Sequence, residues 1–267
     1  MLFCNAARVD YSALSSARYL LAGVLSTLMV LAVSWRYSRW RRHPRELSGI
    51  FVQAAFRSNL AIVGVALTYS AYGDRGPILA AMPIALMTVL YNMLAVWVLN
   101  TTLGGRARMK DVVLGIVANP LIVGISAGVA LSVSGLPQPH GLARVGSALS
   151  AFILPAVLVC IGAAMNLSRL ARAGALTWEA SIWRLCIAPA MAVLIALLLG
   201  VRDEALGVLF LLLATPVAAS SHVMVVAARG DGTLAANIIV LTTLLSLITI
   251  TLGFFLLSML GLVGHLR

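Results

Sequence analysis

The chain has 267 residues, 61% of them hydrophobic and only 10% charged. An ordinary soluble domain is about 45–50% apolar and about 25% charged, so the composition excludes a soluble enzyme, a nucleic-acid-binding domain and a disordered chain, and leaves a polytopic membrane protein. The net charge of +11 comes from 19 Lys+Arg against 8 Asp+Glu. These cations sit in short connections between apolar runs, where they hold loops on the cytoplasmic side of a bilayer.

Charged residues cut the sequence into eight apolar segments: 19–35, 47–73, 76–105, 112–143, 145–168, 185–201, 205–228 and 232–266. A helix of about 20 residues crosses a hydrocarbon core about 30 Å thick, and the two 17-residue segments only just reach. Barrel strands would be about 10 residues with strict alternation, a pattern absent here. The expected fold class is therefore an all-α polytopic membrane protein with eight transmembrane helices.

Residues 1–18 form an N-terminal tail. Segment one, Tyr19 to Trp35, runs into Arg36, Arg39, Arg41, Arg42 and Arg45. An interfacial Trp followed by an Arg cluster is a stop-transfer pattern, not a signal-peptide cleavage site. Segment two carries Arg57-Ser58-Asn59 in its middle. A central charge costs about 2.5 kcal/mol or more and faces a cavity or partner. Arg57 lies about 16 Å along a helix from Glu46, too deep to snorkel easily. Asn59 and Gly64 are poor helix formers and mark an unwound point. In segment three, Asn92 of Tyr91-Asn92 is an amide suited to capping an unwound carbonyl.

Asn119-Pro120, Pro155 and Pro189 read as kinks in later segments, and Arg184 reads as a cytoplasmic flank of segment six. Segment seven holds Ala214-Thr215-Pro216-Val217-Ala218-Ala219-Ser220-Ser221-His222. Pro216 removes a backbone donor and clashes with the preceding turn. Backbone groups freed in lipid need partners, so such breaks line protein or water-filled cavities. Thr215, Ser220 and Ser221 offer hydroxyls, and His222 reads as the only other ionisable group deep in a segment, a candidate proton carrier. Thr242, Thr243 and Ser246 in segment eight bond backbone carbonyls or neighbouring helices.

Other chemistry is missing. Cys4, Cys160 and Cys186 have no metal-binding or CxxC spacing, so no disulfide, metal or cofactor is expected. No nucleophile–base pair, Walker loop or dinucleotide fingerprint occurs, so the chain is not read as an enzyme. No Asp or Glu lies deep in any segment. Half-helix N-termini each carry about +0.5 elementary charge; with Arg57 nearby the cavity is electropositive and suits an anion.

With the N-terminus outside, twelve Arg/Lys fall inside (Arg184 among them) and six outside, which favours N-out, C-out. Gly73-Asp74 after segment two and Gly230-Asp231 after segment seven are offset by 157 residues. The offset maps segments one to three onto six to eight, and Asn59 onto Pro216. Three helices reverse the chain direction, so the units have inverted topology, and two interruptions at equivalent positions point to a transporter site. Counterparts of 112–165 would precede Met1. The expected plan is thus a ten-helix fold that lacks its first two helices.

Phe56-Arg57-Ser58-Asn59 with Gly64, then Tyr72-Gly73-Asp74, resembles the first crossover of the auxin efflux carrier family. So do Tyr91-Asn92, Asn119-Pro120-Leu121-Ile122, Pro155 with Ile161-Gly162, Ala214-Thr215-Pro216-Val217-Ala218, Gly230-Asp231 with Leu234-Ala235-Ala236, and Thr242-Thr243-Leu244-Leu245-Ser246. The resemblance spans about residue 17 to the C-terminus. Bacterial members include permeases for malonate and similar carboxylates, and plant relatives export auxin. The resemblance implies two inverted five-helix repeats, as in sodium/proton antiporters and bile-acid symporters, with broken helices crossing near Ser58-Asn59 and Thr215-Pro216. Residues 19–100 and 182–264 would be the transport helices and 112–165 a scaffold pair.

The expected function is a secondary transporter of a small organic anion, such as a mono- or dicarboxylate, working by alternating access in a bacterial inner membrane. Its substrate site would comprise Arg57, Ser58, Asn59, Thr215, Pro216, Ser220, Ser221 and His222. The expected partners are the anion, the lipid bilayer and a second copy in a homodimer, with no nucleic acid. The alternative is a truncated, non-transporting relative or an assembly partner of such a carrier.

Overall fold

The computed structural model describes residues 17–104 and 174–263, with isolated positions between 123 and 141. The scaffold pair 112–165, Asn119-Pro120, Pro155, Cys4 and Cys160 fall outside the described residues, apart from those isolated positions. The described elements are helical: α1 (Ala17–Trp40), α2 (Arg45–Phe56), a π-helical turn (Leu60–Gly64) leading into α3 (Val65–Tyr72), α4 (Arg75–Leu103), α5 (Ala175–Ile182), a π-helical turn (Trp183–Ile187), α6 (Ala188–Leu198), α7 (Asp203–Leu213), α8 (Ser220–Ala227) and α9 (Gly232–Met259). Among the described residues, four helices are long and apolar enough to cross a membrane: Arg18–Trp40, Arg75–Leu103, Ala175–Leu198 and Gly232–Met259.

The third of these corrects the sequence reading. Segment six does not start after Arg184 but at Ala175, and Arg184 lies inside the helix at 1% exposure. It is therefore not a loop cation, and it leaves the cytoplasmic side of the topology count. The wide turn around it precedes Pro189, whose ring would clash with the Leu185 carbonyl in a regular α-helix. His222 is accordingly not the only ionisable group besides Arg57 within the helices.

Helix ends follow local chemistry. Gly73, at φ +58, stops α3 in a conformation that glycine adopts without a Cβ penalty. The Asp231 carboxylate accepts from the Leu234 N–H at 3.0 Å and caps α9. Adding 157 to the bounds of α1, α2 and α4 reproduces those of the 175–198 helix, α7 and α9 to within one residue.

The halves that precede the two breaks form the centre. In α2 every residue from Ser48 to Phe56 is buried, and in α7 every residue from Leu206 to Leu213. A helix apolar all round is stable only when surrounded. α1 and α4 pack on α2, while α6, α4 and α9 pack on α7. The outer helices keep one bare apolar side. Leu21, Leu25, Leu28 and Met29 are exposed on α1, and Leu247, Ile248, Leu252, Phe255 and Leu256 on α9. Such a surface suits contact with hydrocarbon.

Candidate functional site

The two breaks meet. After Phe56 and after Leu213 the chain leaves the helix, and Ser58 and Val217 pair as an isolated antiparallel bridge. The Asn59 N–H donates to the Pro216 carbonyl at 2.9 Å, and the Ala218 N–H donates to the Arg57 carbonyl at 3.4 Å. Other freed groups also find partners, as burial demands. The Val217 N–H donates to Thr242 Oγ1 at 3.2 Å, and the Thr215 hydroxyl donates to the Leu212 carbonyl at 2.9 Å. The Gly64 N–H closes the first π-turn on the Asn59 carbonyl at 3.0 Å.

A cavity of about 270 Å³ opens beside this crossing. Arg57, Ser58, Asn59, Asn92 and Ser220 are among the polar residues on its wall, with Leu60 and Ile62 on the apolar side. Arg57 is 6% exposed. Its Nη1 donates to the Tyr91 carbonyl at 3.1 Å, and its Nη2 donates to Asn92 Oδ1 at 2.8 Å and to Ser220 Oγ at 3.0 Å. All three acceptors are neutral, and Nε has no partner among the described residues. Ser58 Oγ and the Tyr91 hydroxyl lie 3.1 Å apart. No cluster of His, Cys, Asp and Glu suited to a metal occurs among the described residues.

The sequence-selected residues divide into three groups. Arg57, Ser58, Asn59 and Ser220 line the cavity. Thr215 and Pro216 shape the crossing from behind it and are buried. Ser221 is buried, its hydroxyl without a partner among the described residues, and half-buried His222 turns its ring toward Gly232 at the start of α9. Asn92, expected to cap an unwound carbonyl, instead accepts from Arg57 through its amide oxygen.

Sequence reasoning misses Arg184 as a site residue. Its Nε donates to the Thr215 carbonyl at 3.0 Å, its Nη1 to the Ala55 carbonyl at 3.1 Å, and its Nη2 to the Leu213 carbonyl. One signal in the sequence points to it. Residues 185–201 are short for a crossing, and extending the segment through Arg184 supplies the missing length.

Comparison with protein-family models and with curated proteins finds no match to the chain.

Proposed function

We propose that the chain is a secondary transporter, of the type found in the auxin efflux carrier family, that moves a small organic anion such as a mono- or dicarboxylate by alternating access. The observation that carries this reading is the Arg57 guanidinium on the wall of the cavity, held by neutral acceptors alone among the described residues. A buried cation without a carboxylate attracts an anionic ligand, because desolvation is offset only by a counter-charge. Leu60 and Ser220, the first residues of the two return halves, also line the cavity and bring helix N-termini to it.

The ion pairs support an inverted plan. Arg41, just past the end of α1, pairs with Glu179 near the start of the 175–198 helix at 2.6 Å. Arg75, at the start of α4, pairs with Glu204 at the start of α7 at 3.1 Å. The opening helix of the first unit thus ends at the rim where that of the second begins, which is the relation expected of inverted repeats around a midplane site.

The test is uptake of radiolabelled carboxylates into vesicles containing the purified protein, paired with a thermal-shift screen of the same compounds. Arg57→Ala is expected to insert normally and lose about 10- to 100-fold in affinity, the weight of a charge-assisted hydrogen bond. Arg57→Lys should fall between the two. Unchanged affinity in a well-folded Arg57→Ala protein would sink the reading.

A further inference from the structure

We propose that Arg184 is a positioning residue that serves as a built-in cation for the helix crossing, binding the carbonyl ends of both broken helices. The inference does not depend on which substrate the cavity takes. The Ala55 carbonyl belongs to the last turn of α2, the Leu213 carbonyl to the last turn of α7, and the Thr215 carbonyl to the unwound segment that follows it. The first two are orphan acceptors, since a helix leaves its last carbonyls without intrahelical partners, and the third is freed by the break. One guanidinium takes an acceptor from each helix, and among the described residues its three hydrogen bonds all run to main-chain oxygen.

The charges balance as well. Each helix C-terminus carries about −0.5 elementary charge, so two of them together match one guanidinium. Arg184 is therefore compensated by two helix C-termini, whereas the Arg57 guanidinium meets one carbonyl inside α4 and two side-chain oxygens. In transporters with broken helices, half-helix C-termini and unwound carbonyls bind a free cation. Here the cation is tethered to the chain. A void of about 10 Å³ already adjoins Arg184, bordered by Ser26, Thr27 and Tyr91. Truncating the side chain enlarges that void into a carbonyl-lined hole with negative potential.

Such a hole should accept a small cation from solution, and chemical rescue tests this. The unaltered protein and Arg184→Ala are purified in detergent, and their melting temperatures are measured with guanidinium chloride at low, non-denaturing concentration. Urea serves as the neutral control of similar shape. Arg184→Ala is expected to melt about 10 °C lower, from three buried carbonyls left unpaired. Guanidinium should recover part of that loss and urea none, while the unaltered protein responds to neither. An Arg184→Ala protein as stable as the parent, or a loss that guanidinium does not recover, overturns the proposal. If Arg184→Ala does not accumulate, Arg184→Lys and Arg184→Met replace it. Lys keeps the charge and should melt well above Met, and equal melting of the two overturns the proposal.

Discussion

The Asn59 N–H and the Pro216 carbonyl, 157 positions apart in sequence, are 2.9 Å apart in space. Two residues that each interrupt a helix thereby satisfy one another. In hydrocarbon, which offers no replacement partner, neither break would be stable without the other.

Pro216→Ala should disturb both breaks. Pro216 cannot donate to the Leu212 carbonyl, and the Thr215 hydroxyl takes that acceptor instead. Alanine restores the donor and favours continuation of α7 by up to about 3 kcal/mol. The variant is expected to express normally and lose roughly tenfold in uptake. Hydrogen exchange at the Asn59 amide should speed up in parallel, and unchanged exchange would contradict the coupling.

Asn92→Asp places a carboxylate where Arg57 Nη2 now meets an amide oxygen at 2.8 Å. The new charge acts as an internal counter-ion and would compete with the anion proposed to bind there. Affinity should fall about 10- to 100-fold while the melting temperature holds or rises. Asn92→Ala should lower the melting temperature instead. Calorimetry and melting on the two variants separate these outcomes.

Tyr72 and Gly207 offer a packing test. The Tyr72 hydroxyl is buried without a partner among the described residues, and a Cβ at Gly207 would collide with it. Tyr72→Phe should be neutral or stabilising by up to about 1 kcal/mol. Gly207→Ala should cost about 1–3 kcal/mol through overpacking. The double variant should recover part of that loss, measured as a coupling between the melting shifts.

Orientation can be read with cysteines at Trp40 and Leu260, which are 69% and 61% exposed. In a background without the native cysteines, Trp40→Cys should resist an impermeant thiol reagent in intact cells and Leu260→Cys should react. The reverse pattern would invert the topology.

Charge spacing locates most helix ends, because Arg45, Asp74, Arg75 and Asp203 lie at real boundaries. It fails at Arg184. A charge marks a boundary only while water solvates it, and the three carbonyls that replace water there come from residues distant in sequence. Asn59 and Pro216 are legible as poor helix formers at a common offset. His222 is misplaced when it is read as part of one irregular run. α8 begins at Ser220, and residues two apart on a helix point in nearly opposite directions, so Ser220 and His222 cannot both face the cavity.

The two rim ion pairs have a mechanical consequence. Arg41–Glu179 and Arg75–Glu204 tie the two units at opposite ends, while the backbone bridge and Arg184 stitch them at mid-depth. The rim pairs are exposed and weak, so they set alignment, and the mid-depth stitching supplies stiffness. Held together mainly at mid-depth, the two units have no free plane between them, so the alternating access proposed above would displace the described helices together as one block.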